Sequence, residues 1–373
     1  MITKHNWLEI LMFLPPILLL VAINLIWDSG FYFRSNINDL IAELILQDKY
    51  IQSFSGNFNQ REVKRKLIEK INKDIDCIAV GPSLIYSIGN EIVNSSKFYN
   101  LGIGACNHYD LFAFFALLKI NKINYKKVII CMDFLSIFNV DYANNSLLSE
   151  PLMNYTKYMI DFLENKPNLI SPEINYWSII KNAPILSISY FKESYKIPIK
   201  QIKKYKSISF DLIELLSKDS IKTSNCYSKD GSFIYSYDYE NRSNEKFIKD
   251  AHNYMFNKKV WNKEAGGTFD ERFKCNTSEE FKKHFLLLID YLKKNNTEII
   301  FWYHPFPPII WDKINYREYP GIYGLDLWSR KLAEEKGIKT VGDYNPHKCG
   351  VTNESFADAR HLKRSAIAKL FKF

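Results

Sequence analysis

Residues 76–83 read Asp-Cys-Ile-Ala-Val-Gly-Pro-Ser: a short apolar run that stops at Gly81 and leads at once to Ser83. A run this short, closed by a turn residue, reads as a strand buried on both faces. Two more follow, Lys-Phe-Tyr-Asn-Leu-Gly over 97–102 and Lys-Val-Ile-Ile-Cys-Met over 127–132. Between them, residues 108–123 have the amphipathic pattern of a crossover helix. The rhythm returns near the C-terminus. Thr277-Ser278-Glu279-Glu280 has capping-box spacing and opens a helix to about residue 294. Glu-Ile-Ile-Phe-Trp-Tyr (298–303) is then a buried strand, residues 325–336 a helix with Gly337 at its C-cap, and Lys-Thr-Val-Gly (339–342) a final short strand. A closing helix is expected over 360–371. Short apolar strands alternating with helices predict an α/β domain over 76–373, with a parallel sheet covered on both faces.

Residues 140–270 break this pattern. They are rich in Asn, Ser, Tyr and Lys, with helical pieces at 155–164 and 210–216. They read as a mainly helical insertion over the carboxyl edge of the sheet. Upstream, residues 30–75 read as a helical linker region with a charged stretch at 60–73. Residues 1–29 contain the apolar run Ile10 to Trp27, whose one strongly polar residue is Asn24. About 20 such residues span a bilayer, and Trp7 and Trp27 lie where interfacial aromatics belong. Lys4 before the run and Asp28 after it favour an N-in orientation. The expectation is a single-pass membrane anchor with an extracytoplasmic C-terminal domain. A cleaved signal peptide is the competing reading, but no small-x-small site follows the run.

Composition excludes several classes. The chain has 373 residues, 24% of them charged, and a net charge of +9. No Arg/Lys stripe or RNA-binding aromatic motif accompanies that charge, so nucleic acid is not an expected partner. A basic surface also suits anionic lipids or acidic glycans. Six cysteines form no CxxC pair and seven histidines no HExxH, so no metal site and no cofactor are expected. A disulfide among Cys226, Cys275 and Cys349 is chemically open, and the sequence selects no pairing.

Ser83 would leave the first strand at its carboxyl edge, where open α/β sheets bind ligands, and at the start of a helix. Alone it reads more readily as a helix N-cap than as a nucleophile. Asp358 and His361, three apart after the last strand, change its meaning. That spacing lets the carboxylate hold one imidazole nitrogen while the other faces the cleft. A serine hydroxyl needs such a base, and the base an orienting partner. His304, in Tyr-His-Pro-Phe-Pro-Pro, leaves the fourth strand at the same edge and is a pocket candidate; it would equally satisfy a turn carbonyl. Asp230-Gly231 reads as a turn.

With these residues the chain resembles the SGNH (GDSL-type) hydrolase superfamily over roughly 76–135 and 275–371. Gly81-Pro82-Ser83 is similar to the Gly-Asp-Ser block, with Pro82 in place of Asp. Asn100-Leu101-Gly102-Ile103-Gly104-Ala105 resembles the block that supplies an oxyanion-hole amide, from Gly104 or Ala105. Asp133 stands where the family has an oxyanion-hole Asn, and Asp358-x-x-His361 matches the Asp-x-x-His block. The resemblance implies a flavodoxin-like three-layer sandwich with five parallel strands, a Ser83–His361–Asp358 triad, and an oxyanion hole built from the Ser83 amide with Gly104, Ala105 or Asp133. The anchor, the insertion and the loosened blocks resemble the branch containing alginate O-acetylation and teichoic acid D-alanylation proteins. That branch implies an acyl donor, an envelope glycan acceptor and a multi-span membrane acyltransferase partner. A catalytically silent scaffold that binds glycan or such a partner is the alternative, motivated by Pro82 and Asp133.

Overall fold

The structure, a computed structural model, describes residues 14–22, 36–47, 49–53, 59–104, 106–133, 150–167, 169, 172, 213–216, 225–241, 243–256, 279–313 and 320–372. Its strands are β1 (Tyr50–Ser53), β2 (Asp74–Val80), β3 (Phe98–Asn100), β4 (Asn124–Cys131), β5 (Ile213–Leu216), β6 (Cys226–Tyr227), β7 (Phe233–Ile234), β8 (Glu298–Tyr303) and β9 (Lys339–Gly342). The longer helices are α1 (Asn36–Leu46), α2 (Gln60–Lys70), α3 (His108–Ile120), α4 (Glu150–Leu163), α5 (Asn244–Phe256), α6 (Glu279–Lys294), α7 (Pro320–Glu335) and α8 (Arg364–Leu370).

Five strands pair in the order β3-β2-β4-β8-β9, and every pair is parallel. The sequence expected this sheet. The strands are legible because both faces are covered: Ile78, Ala79, Val128, Ile129, Ile300 and Phe301 are all sealed from solvent. Burying each large aliphatic or aromatic side chain contributes about 1.5–3 kcal/mol. From β2 the chain steps to one side to make β3, then crosses to the other for β4. That reversal opens a crevice beyond the carboxyl ends of β2 and β4, the place where such sheets hold ligands.

Helix α3 differs from its expected amphipathic form. Leu111 through Leu118 are buried without a break, on every face of the helix. The reason is the insertion: α4 packs along α3 and α6 packs on α4, so the side of α3 away from the sheet is also covered. A helix apolar all round is a buried helix.

Three further expectations are corrected. Helices α4 and α5 make up most of the regular structure described in the insertion, but it carries strands as well. Residues 213–216, read from sequence as part of a helix, are strand β5. β5, β1, β6 and β7 form a second, antiparallel sheet in the order β5-β1-β6-β7. Tyr50 lies opposite Leu216 and Ile51 opposite Tyr227, so the stretch read as a helical linker contributes a strand to the insertion's sheet. The strands are two to four residues long, too short for a period-2 pattern to stand out. The closing helix begins at Arg364, not at 360.

Residues 14–22 are helical, with Leu14, Ile17, Leu18 and Leu19 exposed. Among the described residues no helix is long and apolar enough to cross a membrane. The rest of the expected span, including Trp7, Asn24, Trp27 and Asp28, lies outside the described residues.

Candidate active site

Ser83 sits just past β2. Gly81 makes that placement possible: its φ is +155°, and a Cβ there would come within 2.6 Å of the Cys131 Cβ. Only glycine allows the chain to pass this close to β4 and then turn. Ser83 opens one 3-10 turn, Ser83–Ile85, rather than the α-helix expected, so no extended helix dipole points at it. The turn is tied down from elsewhere. Asn100, fully buried at the end of β3, donates through Nδ2 to Ile85 O (2.7 Å) and Ile88 O (2.9 Å). Its Oδ1 accepts from Gly102 N at 2.8 Å. One side chain thereby joins the serine turn to the glycine-bearing loop.

The other two expected residues lie on a tight loop rather than a helix. Phe356 and Leu362 form an isolated antiparallel bridge, and Ala357 N donates to His361 O at 2.8 Å. Asp358 Oδ1 accepts from the backbone N–H groups of Arg360 (2.7 Å) and His361 (2.8 Å), the local turn Asp favours. His361 Nδ1 lies 2.8 Å from Asp358 Oδ2 and 3.0 Å from Oδ1. An ionised carboxylate only accepts, so Nδ1 carries the proton and Nε2 is left as the acceptor. Nε2 is 2.9 Å from Ser83 Oγ. Three residues separated by as many as 278 positions thus form one serine–imidazole–carboxylate chain.

His304 is close but stands behind this chain. Its Nδ1 donates to Pro305 O at 2.8 Å, and its Nε2 accepts from Leu362 N at 3.4 Å. Burial, with the neighbouring charges of His361 and Arg360, drives its pKa down to about 3. His304 is therefore a neutral strut under the His361 loop.

The oxyanion candidates are dispersed. Gly104 N donates to Gln60 Oε1 at 2.6 Å, and Tyr86 donates its hydroxyl to the same oxygen. The Gly104 amide is thus occupied by a side chain of the chain itself. Ala105 lies outside the described residues. Asp133 is buried, and its Oδ1 is 3.8 Å from a guanidinium nitrogen of Arg360, which offsets its charge.

Several residues with a bearing on the site were not singled out from sequence. Lys64 is buried in α2 and donates 2.6 Å bonds to Asn100 O and to Gly231 O. Burial pushes its pKa down to about 7. A neutral amine has two N–H groups, enough for these two carbonyls. The expected turn at Asp230-Gly231 is present, with Gly231 at φ +73°. Asp230 also accepts from Asn90 N (2.7 Å), and Phe233 N donates to Tyr86 O (2.8 Å). Through these bonds the insertion grips the serine turn. Tyr235, on the same strip, packs against the His361 ring with centroids 5.6 Å apart. Asn100 and Arg360 fall inside quoted motifs, so position was a usable clue; Gln60 and Lys64 had none, being part of a charged stretch.

Cys77, Cys106, Cys131, Cys226 and Cys349 are free thiols, and Cys275 lies outside the described residues. Among the described residues no group of three or more His, Cys, Asp or Glu is placed to hold a metal. No family model matches the sequence, and no curated protein matches it.

Proposed function

We propose that this chain is a serine-dependent acyl-transfer or ester-cleaving protein of the SGNH type, acting on a cell-envelope polysaccharide. The observation that carries the reading is the 2.9 Å contact between Ser83 Oγ and His361 Nε2, with Asp358 holding the far nitrogen. The strand order, second-first-third-fourth-fifth along the main sheet, is that of flavodoxin-like sheets and supports the family resemblance. The chemistry runs in two halves. His361 takes the Ser83 proton as Oγ attacks the donor's acyl carbon, then returns it to the leaving oxygen. An acceptor hydroxyl, from a sugar or from water, next gives its proton to His361 and attacks the acyl-serine, which restores Ser83. Asp358 stays ionised throughout and stabilises the imidazolium. The Ser83 amide would face the developing oxyanion, with Ala105 or Gly104 as partner once Gln60 yields. No cofactor enters. An apolar N-terminal segment anchoring the domain on the outer side of a membrane, beside a multi-span acyltransferase, completes the proposal; the exposed Leu14, Ile17, Leu18 and Leu19 suit it.

The test is labelling of the full chain in detergent with a fluorophosphonate probe. Labelling lost in Ser83→Ala supports the enzyme. One observation favours the silent-scaffold alternative: Gln60 occupies the Gly104 amide while Asp133 offers no donor. A folded wild-type chain that takes up no probe would establish that alternative instead.

A further inference from the structure

Asp133, the acidic residue just past β4, stands beside the serine. Val80 of β2 is paired with Ile130 of β4, and a Cβ on Gly81 would lie 2.6 Å from the Cys131 Cβ, so the two chains leave the sheet side by side. Continued in step, that pairing sets Asp133 level with Ser83, one strand spacing of about 4.8 Å away. Met132 pins the path: its N–H donates to Trp302 O at 2.9 Å, and its carbonyl accepts from the Tyr344 hydroxyl. The side chain that reaches this point is Arg360. Its backbone N–H is held by Asp358 Oδ1 at 2.7 Å, in the same turn that holds His361. From that turn His361 reaches the end of β2 and Arg360 the end of β4, with a guanidinium nitrogen 3.8 Å from Asp133 Oδ1. Asp133 is buried, whereas 27% of the Arg360 side chain is exposed, so Arg360 spans from the crevice to solvent.

We propose that Arg360 is a catalytic residue: its guanidinium donates to the oxyanion that forms when Ser83 attacks an acyl carbon. The inference rests on the serine-nucleophile reading above and deepens it. As Oγ bonds to the carbonyl carbon, the π pair of C=O moves onto oxygen, and it returns when the leaving oxygen departs. That transient charge needs donors fixed in place before the reaction. An ionised Asp133 supplies none, and Gln60 holds the Gly104 amide at 2.6 Å. A guanidinium supplies a full positive charge and five N–H groups, of which a carboxylate fork engages two. The contact with Asp133 suits that work. At 3.8 Å it is longer than a hydrogen bond, so the carboxylate orients the guanidinium without saturating it. The charge is also felt across the site: after burial and His361, Arg360 helps to depress His304.

The experiment follows turnover of p-nitrophenyl acetate by the full chain in detergent, while fluorophosphonate labelling of the wild type and of Ser83→Ala reports the nucleophile separately. Arg360→Met should lower kcat about 10²–10³-fold. KM should change by less than about threefold, because the oxyanion exists only in the transition state and the intermediate beside it. Arg360→Gln, neutral yet polar, should lose at least about tenfold in kcat, and it carries the test if the methionine variant misfolds. A role limited to neutralising Asp133 is separated by a second background. With Asp133→Ala no carboxylate is left to neutralise, so adding either Arg360 substitution should still lower kcat. A folded neutral variant with wild-type kcat, a loss confined to KM, or a loss that vanishes in the Asp133→Ala background overturns the inference and leaves the serine reading standing. A folded wild-type chain with neither labelling nor turnover overturns both.

Discussion

The serine turn and the histidine loop meet at 2.9 Å but are held in opposite ways. The serine turn is fastened from outside, by Asn100 of β3, by the hairpin bonded to Tyr86, and by Lys64 acting through Asn100. The histidine loop is fastened mainly by itself, through Asp358 and the Phe356–Leu362 bridge, with His304 beneath. The difference teaches that alignment of the pair depends on distant chain segments for the serine and on local turn chemistry for the imidazole. It also gives each side its own pH window.

The largest effect should come from breaking the local side. Asp358→Asn removes the carboxylate that fixes the imidazole tautomer, and turnover of an activated ester should fall about 10³–10⁴-fold while the fold persists. Breaking the distant side should appear first as instability. Asn100→Ala strands two carbonyls and one N–H in the interior, and urea unfolding should show a loss of about 2–4 kcal/mol. An unchanged midpoint would mean the turn does not depend on that side chain.

The pH windows sharpen the contrast. Burial holds Lys64 at a pKa of about 7 in the folded chain, against the ordinary lysine value of 10.5, so between those values the unfolded chain holds more protons. Its contribution should therefore be complete above about 10.5 and fade as pH falls toward 7, by at most about 1.4 kcal/mol per pH unit. His304, depressed to about 3 from 6.5, should act likewise in acid. Its contribution is complete above about 6.5 and fades as pH drops toward 3. Lys64→Met should flatten the alkaline window alone, and His304→Gln the acid window alone, in urea midpoints measured across pH. If either variant altered both windows, the two anchoring systems would not be separate. The smallest effect is expected at Asp133→Asn. Exchanging an acceptor for an amide donor should raise ester turnover, by up to about tenfold.

The sequence disclosed the main sheet because parallel strands covered on both faces are continuous apolar runs, as in residues 76–81 and 298–303. It also pointed to Ser83, Asp358 and His361, since the chemistry requires those types and the strands set their order. The small sheet stayed hidden. A two-residue strand such as β6 has no periodicity, and its pairing with β1 joins positions 176 apart, from Ile51 to Tyr227. Lys64 was hidden for a related reason: a lysine in a charged helix reads as solvated, and its two acceptors lie 36 and 167 positions away. The loop at 358–361 was mistaken for a helix start because Asp at the head of a turn and Asp at the head of a helix look alike in one dimension.

The all-apolar surface of α3 has a practical consequence for handling this protein. Helix α3 depends on α4, which begins thirty positions after α3 ends, for part of its cover. A fragment cut before Glu150 would keep β2–β4 and Ser83 yet leave that greasy helix bare on its outer side. Such a shortened clone is expected to aggregate in the expression host. Trimming for crystallisation should begin at the termini and spare the middle of the chain.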